Sequence, residues 1–258
     1  MLVIGHRGTP LHRTHPENTL AAVRTALQAG VDGVEVDVRA TEDGVLVLSH
    51  DGDLGRVLGT GTGTGPVIAG TPLAELRSVD LPGGTGVPTL VEVLDLAAVT
   101  GAHVVTEVKP EAGGSDAERT ARLLAALLTD RRRLRPGADR VTTTSFDLAT
   151  AASLAGCGTV SGALIVAPEV DPDPAALRAR AQGLTDVHLH VTHVRNDPAV
   201  VGRLRARGLL VGVGIVDDPE EAEGMAALGV DLLCTDDPVG LGLARAGRTS
   251  ADAAVVTG

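Results

Sequence analysis

VDGVEVDVRATEDGVLVLSHDGD, residues 31–53, carries the chain's clearest two-residue periodicity. Val34, Val36 and Val38 alternate with Glu35 and Asp37, so in a strand both carboxylates point to one face. A half-exposed strand with its polar side in water gives the same pattern. In a parallel barrel, whose strands are buried on both faces, two inward acids need compensation. Asp43-Gly44 is the preferred pair of a two-residue type I′ hairpin turn, and alternation resumes at Val45. That turn predicts Val45 opposite Glu42 and His50 opposite Asp37, which folds His50 onto the mouth where the two acids sit.

Outward from this stretch, short β-branched runs alternate with longer Ala/Leu-rich segments. Strands are predicted at 2–6, 32–38, 103–108, 141–145, 160–165, 187–191, 209–215 and 231–234. Helices are predicted near 17–29, 89–99, 115–129, 147–155, 173–182, 197–207 and 218–228. Thr89 with Glu92, and Ser115 with Glu118, fit the capping box. Asp197-Pro198 and Asp218-Pro219 fit an N-cap followed by proline at the first helical position.

This alternation predicts an α/β fold, the TIM (β/α)8 barrel. A doubly wound open sheet is the alternative, but no GxGxxG follows the first strand to favour it. Residues 51–88, rich in Gly, Thr and Pro, break the rhythm and are read as a flexible insertion after the second strand. Their GTGTGTG run, 59–65, is not a phosphate-binding loop, because no Lys-Ser/Thr pair follows it. The organisation is one barrel domain over 1–245 with that insertion, and a loosely held tail over 246–258.

With 43% hydrophobic and 21% charged residues, the 258-residue chain can bury a core, and its net charge of -11 argues against nucleic acid or anionic membrane as partner. The one basic run, RRRLR at 131–135, is read as a solvated loop after a helix. No apolar segment approaches the ~20 residues that span a bilayer, and no secretory signal is visible. A cytoplasmic protein without stable membrane association is therefore expected. Cys157 and Cys234 are read as reduced, buried thiols. Trp and Tyr are absent and Phe146 is the only aromatic residue, so any pocket must do almost without aromatic walls.

The third candidate strand repeats the device of the second: in HVVTEVKP, Glu107 and Lys109 share a face at the strand's carboxyl end. His6 and Arg7 end the first strand. In a barrel these ends meet at one rim, the place where active sites of that architecture are built. The rim would gather the carboxylates of Glu35, Asp37 and Glu107, the imidazoles of His6 and His50, the Arg7 guanidinium and the Lys109 ammonium. Three carboxylates that close repel one another, and a divalent cation relieves them. All-oxygen ligation suggests Mg²⁺ or Ca²⁺ rather than zinc. Arg7 and Lys109 beside a metal favour a phosphate oxyanion, and two histidines serve proton transfer near neutral pH. The constellation reads as metal-assisted cleavage of a small-molecule phosphodiester. His188 and His190 share a strand face and could bind metal, but a barrel-lining role is the preferred reading, because no acid partner lies within the same local motif; His12 and His15 are read as surface or loop-bracing residues within reach of substrate.

In order along the chain, GHRG at 5–8, PENT at 16–19, EVDV at 35–38, HD at 50–51, EVK at 107–109, SFD at 145–147 and GVDLLCTDDP at 229–238 resemble the glycerophosphodiester phosphodiesterase family. The resemblance implies a TIM barrel with an insertion after its second strand, and hydrolysis of glycerophosphodiesters to glycerol 3-phosphate and an alcohol with a divalent cation. It implies His6 and His50 as general base and acid, Arg7 and Lys109 as phosphate holders, and Glu35, Asp37 and Glu107 as metal ligands. Glu17 and Asn18 would cap the first helix and brace the loop, and Asp51 would orient His50 or the insertion. One departure stands out. Where the family often carries an aromatic-Thr-hydrophobic-Asn sequence beside the substrate, this chain has Gly214, Ile215 and Asp217, leaving room for a different diester group. Two other readings remain: a phosphate- or metal-binding barrel without catalysis, and a phospholipase acting on lysophospholipid or phosphoinositide. The complete set of histidines and acids speaks against the first, and the acidic, aromatic-poor composition against the second.

Overall fold

The computed structural model describes residues 1–12, 15–110, 115–157 and 161–242; the tail expected over 246–258 lies outside them. Its strands are β1 (Leu2–Gly5), β2 (Gly33–Ala40), β3 (Leu46–Leu48), β4 (His103–Val108), β5 (Arg140–Ser145), β6 (Ser161–Val166), β7 (Asp186–His190), β8 (Leu210–Gly214) and β9 (Leu232–Thr235). All but β3 run parallel in the order β1-β2-β4-β5-β6-β7-β8-β9, and β9 pairs back onto β1 to close the ring. The eight parallel strands with their helices are a TIM barrel, as the alternation predicts. The added β3 pairs antiparallel with β2.

Each element follows from its residues. Val34, Val36 and Val38 are fully buried on the outer face of β2, in the large apolar cluster between barrel and helices. Thr89 and Glu92 make the expected capping box for Leu90–Thr100, satisfying free amides at its first turn. Asp218 caps Pro219–Ala227 in the same spirit, accepting from the Glu221 amide. Asp197 departs by one residue: Pro198 occupies the cap of Ala199–Ala206 and Asp197 only receives the Ala199 amide. Ser115 opens its helix, but its side chain lies outside what the structure describes.

Three expectations are corrected. The β2–β3 turn is not a two-residue type I′ turn: Thr41 accepts from Gly44 N and donates its own amide to Val45 O, and Gly44 alone takes a positive φ, 84°. This is the three-residue hairpin loop closed by a left-handed glycine, and it slips the register by one, so Asp37 meets Ser49 instead of His50. Asp43 leaves the turn's φ > 0 position because its carboxylate is held by the Thr41 hydroxyl and the Leu73 amide. Second, RRRLR is no loop. The helix runs Ser115–Leu134, and Arg131, only 8% exposed, bonds Asp95 and Asp139 at 2.7–2.9 Å. Third, the two cysteines are free but half-buried rather than fully buried.

Residues 51–88 carry their own apolar cluster of Leu54, Ile68, Leu76, Leu81 and Val87 with Val47 of β3. In the glycine-rich run the amides of Gly55 and Gly63 donate to the Asp53 carboxylate at 2.7 and 2.8 Å. A side chain at Gly55 would strike the Gly61 carbonyl, so the glycine there permits the backbone to close on itself. The amide nest that a phosphate would use is filled by the chain's own carboxylate.

Inside the barrel the packing is thin. Ile4, Val105 and Leu232, with Leu2 and Cys234, form a small interior cluster beside a polar row in which His103 Nε2 meets Thr142 Oγ1 at 2.8 Å and Thr142 meets Ser161 at 2.7 Å. Burial, with Arg140 nearby, lowers His103 to about 4, so it is neutral in the folded protein at neutral pH. The unfolded chain binds that proton between pH ~6.5 and 4, so His103's contribution is full at pH 7 and is lost as pH falls through this window. In urea denaturation, His103→Gln is expected to shrink the wild-type stability loss between pH 7 and pH 4 by on the order of 1 kcal/mol. Identical pH slopes for both proteins would refute the assignment.

Candidate active site

The site is built where β1, β2, β4 and the β2–β3 hairpin end. β1 finishes in a tight Gly5-His6-Arg7-Gly8 turn laid against the helix Leu20–Gln28, where a side chain on Gly8 would strike Ala22. Arg7 is left-handed in this turn, φ 49°, which aims its amide at Glu35 Oε2, 3.0 Å away. Its guanidinium reaches Glu17 Oε1 at 3.0 Å and Asp37 Oδ2 at 3.2 Å.

Glu35 and Asp37 point inward from β2, and Glu107 points inward from the neighbouring β4 register, opposite Asp37. Their exposures of 5%, 0% and 4% put all three out of bulk water, and one oxygen from each falls within 4.8 Å of the others. Lys109 lies over this cluster, Nζ 2.8 Å from Asp37 and 2.7 Å from Glu107. Asn18, the second left-handed non-glycine at φ 56°, clamps Asp37: Nδ2 donates to Oδ2 at 2.8 Å while Oδ1 accepts the Asp37 amide at 3.1 Å. Asn18 is therefore a partner of Asp37 rather than a helix cap; Thr19 caps the helix.

The electrostatics divide the acids. Burial opposes ionisation of Asp37, but Lys109 and Arg7 beside it hold its carboxyl well below the usual range. Glu35 is pushed up to about 8 by burial and by the Asp37 charge, and burial raises Glu107 despite Lys109. Glu35 Oε1 is buried without a hydrogen-bond partner among the described residues. Three crowded carboxylates, one with an orphan oxygen, offer hard donors whose repulsion a divalent cation would relieve, so this group could hold one.

Both expected histidines sit here, each steered by a carboxylate. His6 Nδ1 lies 2.5 Å from Asp236 Oδ1, with Nε2 3.7 Å from Glu35. His50 Nδ1 lies 2.8 Å from Asp51, and Arg56 of the insertion bridges Asp51 to Glu17. His50 reaches the mouth by leaving the hairpin after β3, not by pairing opposite Asp37.

Asp236 was not singled out by sequence reasoning. TDDP offers two adjacent carboxylates, Asp236 and Asp237, and only the fold shows which faces His6. Asp217, where the family often has Asn, orders that segment: its Oδ1 accepts from the Thr235 hydroxyl and the amides of Asp236 and Asp237.

Of these residues His6, Arg7, Glu35, His50, Glu107 and Lys109 line one cavity of about 300 Å³. Its far side comes from Phe146, Leu189, Gly214, Ile215 and their neighbours. Gly214 lines it as expected, but a side chain there would press on Cys234 Cβ at 2.9 Å, so the space lies beside Gly214 rather than directly over it. His188 and His190 also line the cavity and join no metal-binding group among the described residues. His193 braces a loop through the Ala167 carbonyl, 2.9 Å away.

Residues 6–239 match the glycerophosphoryl diester phosphodiesterase family. A glycerophosphodiester phosphodiesterase of Caldanaerobacter subterraneus subsp. tengcongensis is 32% identical over 92% of this chain and 94% of its own. Among solved structures, an Oleispira antarctica phosphodiesterase in complex with the product sn-glycerol-3-phosphate superposes with TM-score 0.78, 27% identity, and 96% and 97% of the two chains covered. A Parabacteroides distasonis glycerophosphodiester phosphodiesterase gives TM-score 0.75, 25% identity, and 95% and 98% coverage.

The clamp around the acids is open to a direct measurement. Titrating Mn²⁺ calorimetrically, Glu35→Gln is expected to abolish binding and Asn18→Ala to weaken it 10- to 100-fold, as loss of an outer partner does. Unchanged affinity in Asn18→Ala would remove the clamp from the metal site.

Proposed function

The chain belongs to the glycerophosphodiester phosphodiesterase family and is a phosphoric diester hydrolase, and on that premise we propose how its own residues work. The substrate is a glycerophosphodiester, cleaved to glycerol 3-phosphate and an alcohol. Glu35, Asp37 and Glu107 hold a divalent cation, Mg²⁺ or Ca²⁺, which supplies Lewis-acid polarisation of the phosphate when bound. The observation that carries the reading is the convergence of Glu35, Glu107, Arg7, Lys109, His6 and His50 at one cavity, with Asp37 held beside it by Arg7 and Lys109.

Lys109 has three N–H donors; two face Asp37 and Glu107, which leaves one for a phosphate oxygen. Arg7 adds fixed positive charge beside it. Asp236 and Asp51 each occupy a histidine Nδ1, so each ring presents Nε2 to the substrate. One imidazole takes the proton of the attacking oxygen as its bond to phosphorus forms. The other returns a proton to the alcohol oxygen as the phosphorus–oxygen bond breaks, so the pair ends with its proton redistributed and none lost.

The reading is tested by following release of glycerol 3-phosphate from glycerophosphocholine with Mg²⁺, with Ca²⁺ and with chelator. Chelation is expected to abolish turnover, and His6→Ala and His50→Ala each to lower kcat by ~10²-fold or more. Near-wild-type turnover in either variant removes that histidine from proton transfer. Asp236→Asn is expected to lower kcat roughly tenfold or more with KM nearly kept, since it disturbs the ring's orientation and not substrate binding. A loss confined to KM would contradict that positioning role.

A further inference from the structure

In the ring of eight strands β2 and β7 stand four apart, on opposite walls. Glu35 of β2 and His188 of β7 nevertheless line the same cavity and face one another across it. The β6–β9 half of that cavity is apolar apart from His188, His190 and Cys234. His190 Nδ1 is engaged by Thr192, 2.9 Å away, and a thiol is a weak donor. His188 has no hydrogen-bond partner among the described residues.

Its seat is prepared by the neighbouring strand. Gly212 pairs with His188 in the β7–β8 ladder, and a Cβ on Gly212 would fall 2.5 Å from the ring's Cδ2. The glycine thus admits an imidazole that any other residue would displace. Burial, with His103 nearby, lowers His188 to about 4, so the ring is neutral, with one nitrogen donating and the other accepting. A neutral donor–acceptor pair in an apolar half-pocket is costly unless something bonds to it.

We propose that His188 hydrogen-bonds a hydroxyl on the glycerol arm of the phosphodiester, selecting a short polyol ester over an unhydroxylated alkyl ester of the same size. This rests on the phosphodiesterase reading and adds to it the polar contact that the apolar wall of Phe146, Leu189 and Ile215 cannot supply. A site built to bond a hydroxyl rejects the analogue that lacks it, because the buried partner is then left unpaired.

The test needs no turnover. Glycerol 3-phosphate and n-propyl phosphate are titrated calorimetrically, with Mg²⁺, into wild type, His188→Phe, His188→Gln and Gly212→Ala. Wild type is expected to prefer glycerol 3-phosphate. His188→Phe is expected to weaken glycerol 3-phosphate about tenfold, the worth of one hydrogen bond, and to change propyl phosphate less than twofold. Gly212→Ala, which moves the ring without altering it, is expected to do the same, while His188→Gln, still a donor, restores part of the preference. The proposal is overturned by a wild type without preference, by equal weakening of both ligands, or by an undiminished preference in His188→Phe; an ordered water alone on the ring gives the last of these. Glycerophosphocholine turnover by wild type, assayed separately, decides the phosphodiesterase reading, so the two failures are distinguishable.

Discussion

Mutual repulsion of Glu35, Asp37 and Glu107, held within 4.8 Å of one another and away from bulk water, is the constraint around which the rest of the molecule is arranged. Like charges in a low-dielectric mouth cannot all stay ionised without positive charge or hydrogen bonds aimed at them. Lys109 and Arg7 supply the first, and Asn18 and the Arg7 amide the second. The two non-glycine residues at positive φ among the described residues, Arg7 and Asn18, are among these partners. Unfavourable backbone geometry is thus concentrated where it brings a donor to an acid.

A second ring of contacts extends the same logic outward. Glu17 receives both Arg7 and Arg56, and Arg56 also holds Asp51, which holds His50. Through one guanidinium the insertion is tied to the residues that orient both a phosphate-facing arginine and a histidine. On the other side Asp217 gathers the amides after β9 and presents Asp236 to His6. Opposite this charged half the cavity wall is apolar apart from His188, His190 and Cys234. The molecule therefore sets a charged wall against a greasy one, the division a phosphodiester with an organic arm requires.

Much of this was legible in the residues. Strand periodicity in EVDV and TEVK placed three acids on inward faces, because a period of two leaves no freedom once Val34, Val36 and Val38 must face the helices. What failed was fixed by distance along the chain. The hairpin register depended on whether Thr41 or Glu42 closed the turn, a choice made by Asp43's contacts with Thr41 and with Leu73, thirty residues away. Arg131 reads as surface because its partners lie outside its own helix, Asp95 on the helix Leu90–Thr100 and Asp139 in the connection before β5. Asn18 does not cap the first helix, since nothing in PENT reveals that it meets Asp37, whereas Glu17 braces the loop through Arg7 and Arg56.

Local sequence determined the alternation of strands and helices, the inward acids, the capping of Leu90–Thr100 and the placing of His6, Arg7 and Lys109 at strand ends. These follow from periodicity and turn chemistry, which act over a few residues. Only the closed barrel decided which of two neighbouring aspartates faces His6, that Asn18 grips Asp37, and that His188 stands across the cavity from Glu35. Those pairings join residues from separate strands. They depend on the ring of eight strands closing with one register, a condition no local stretch contains.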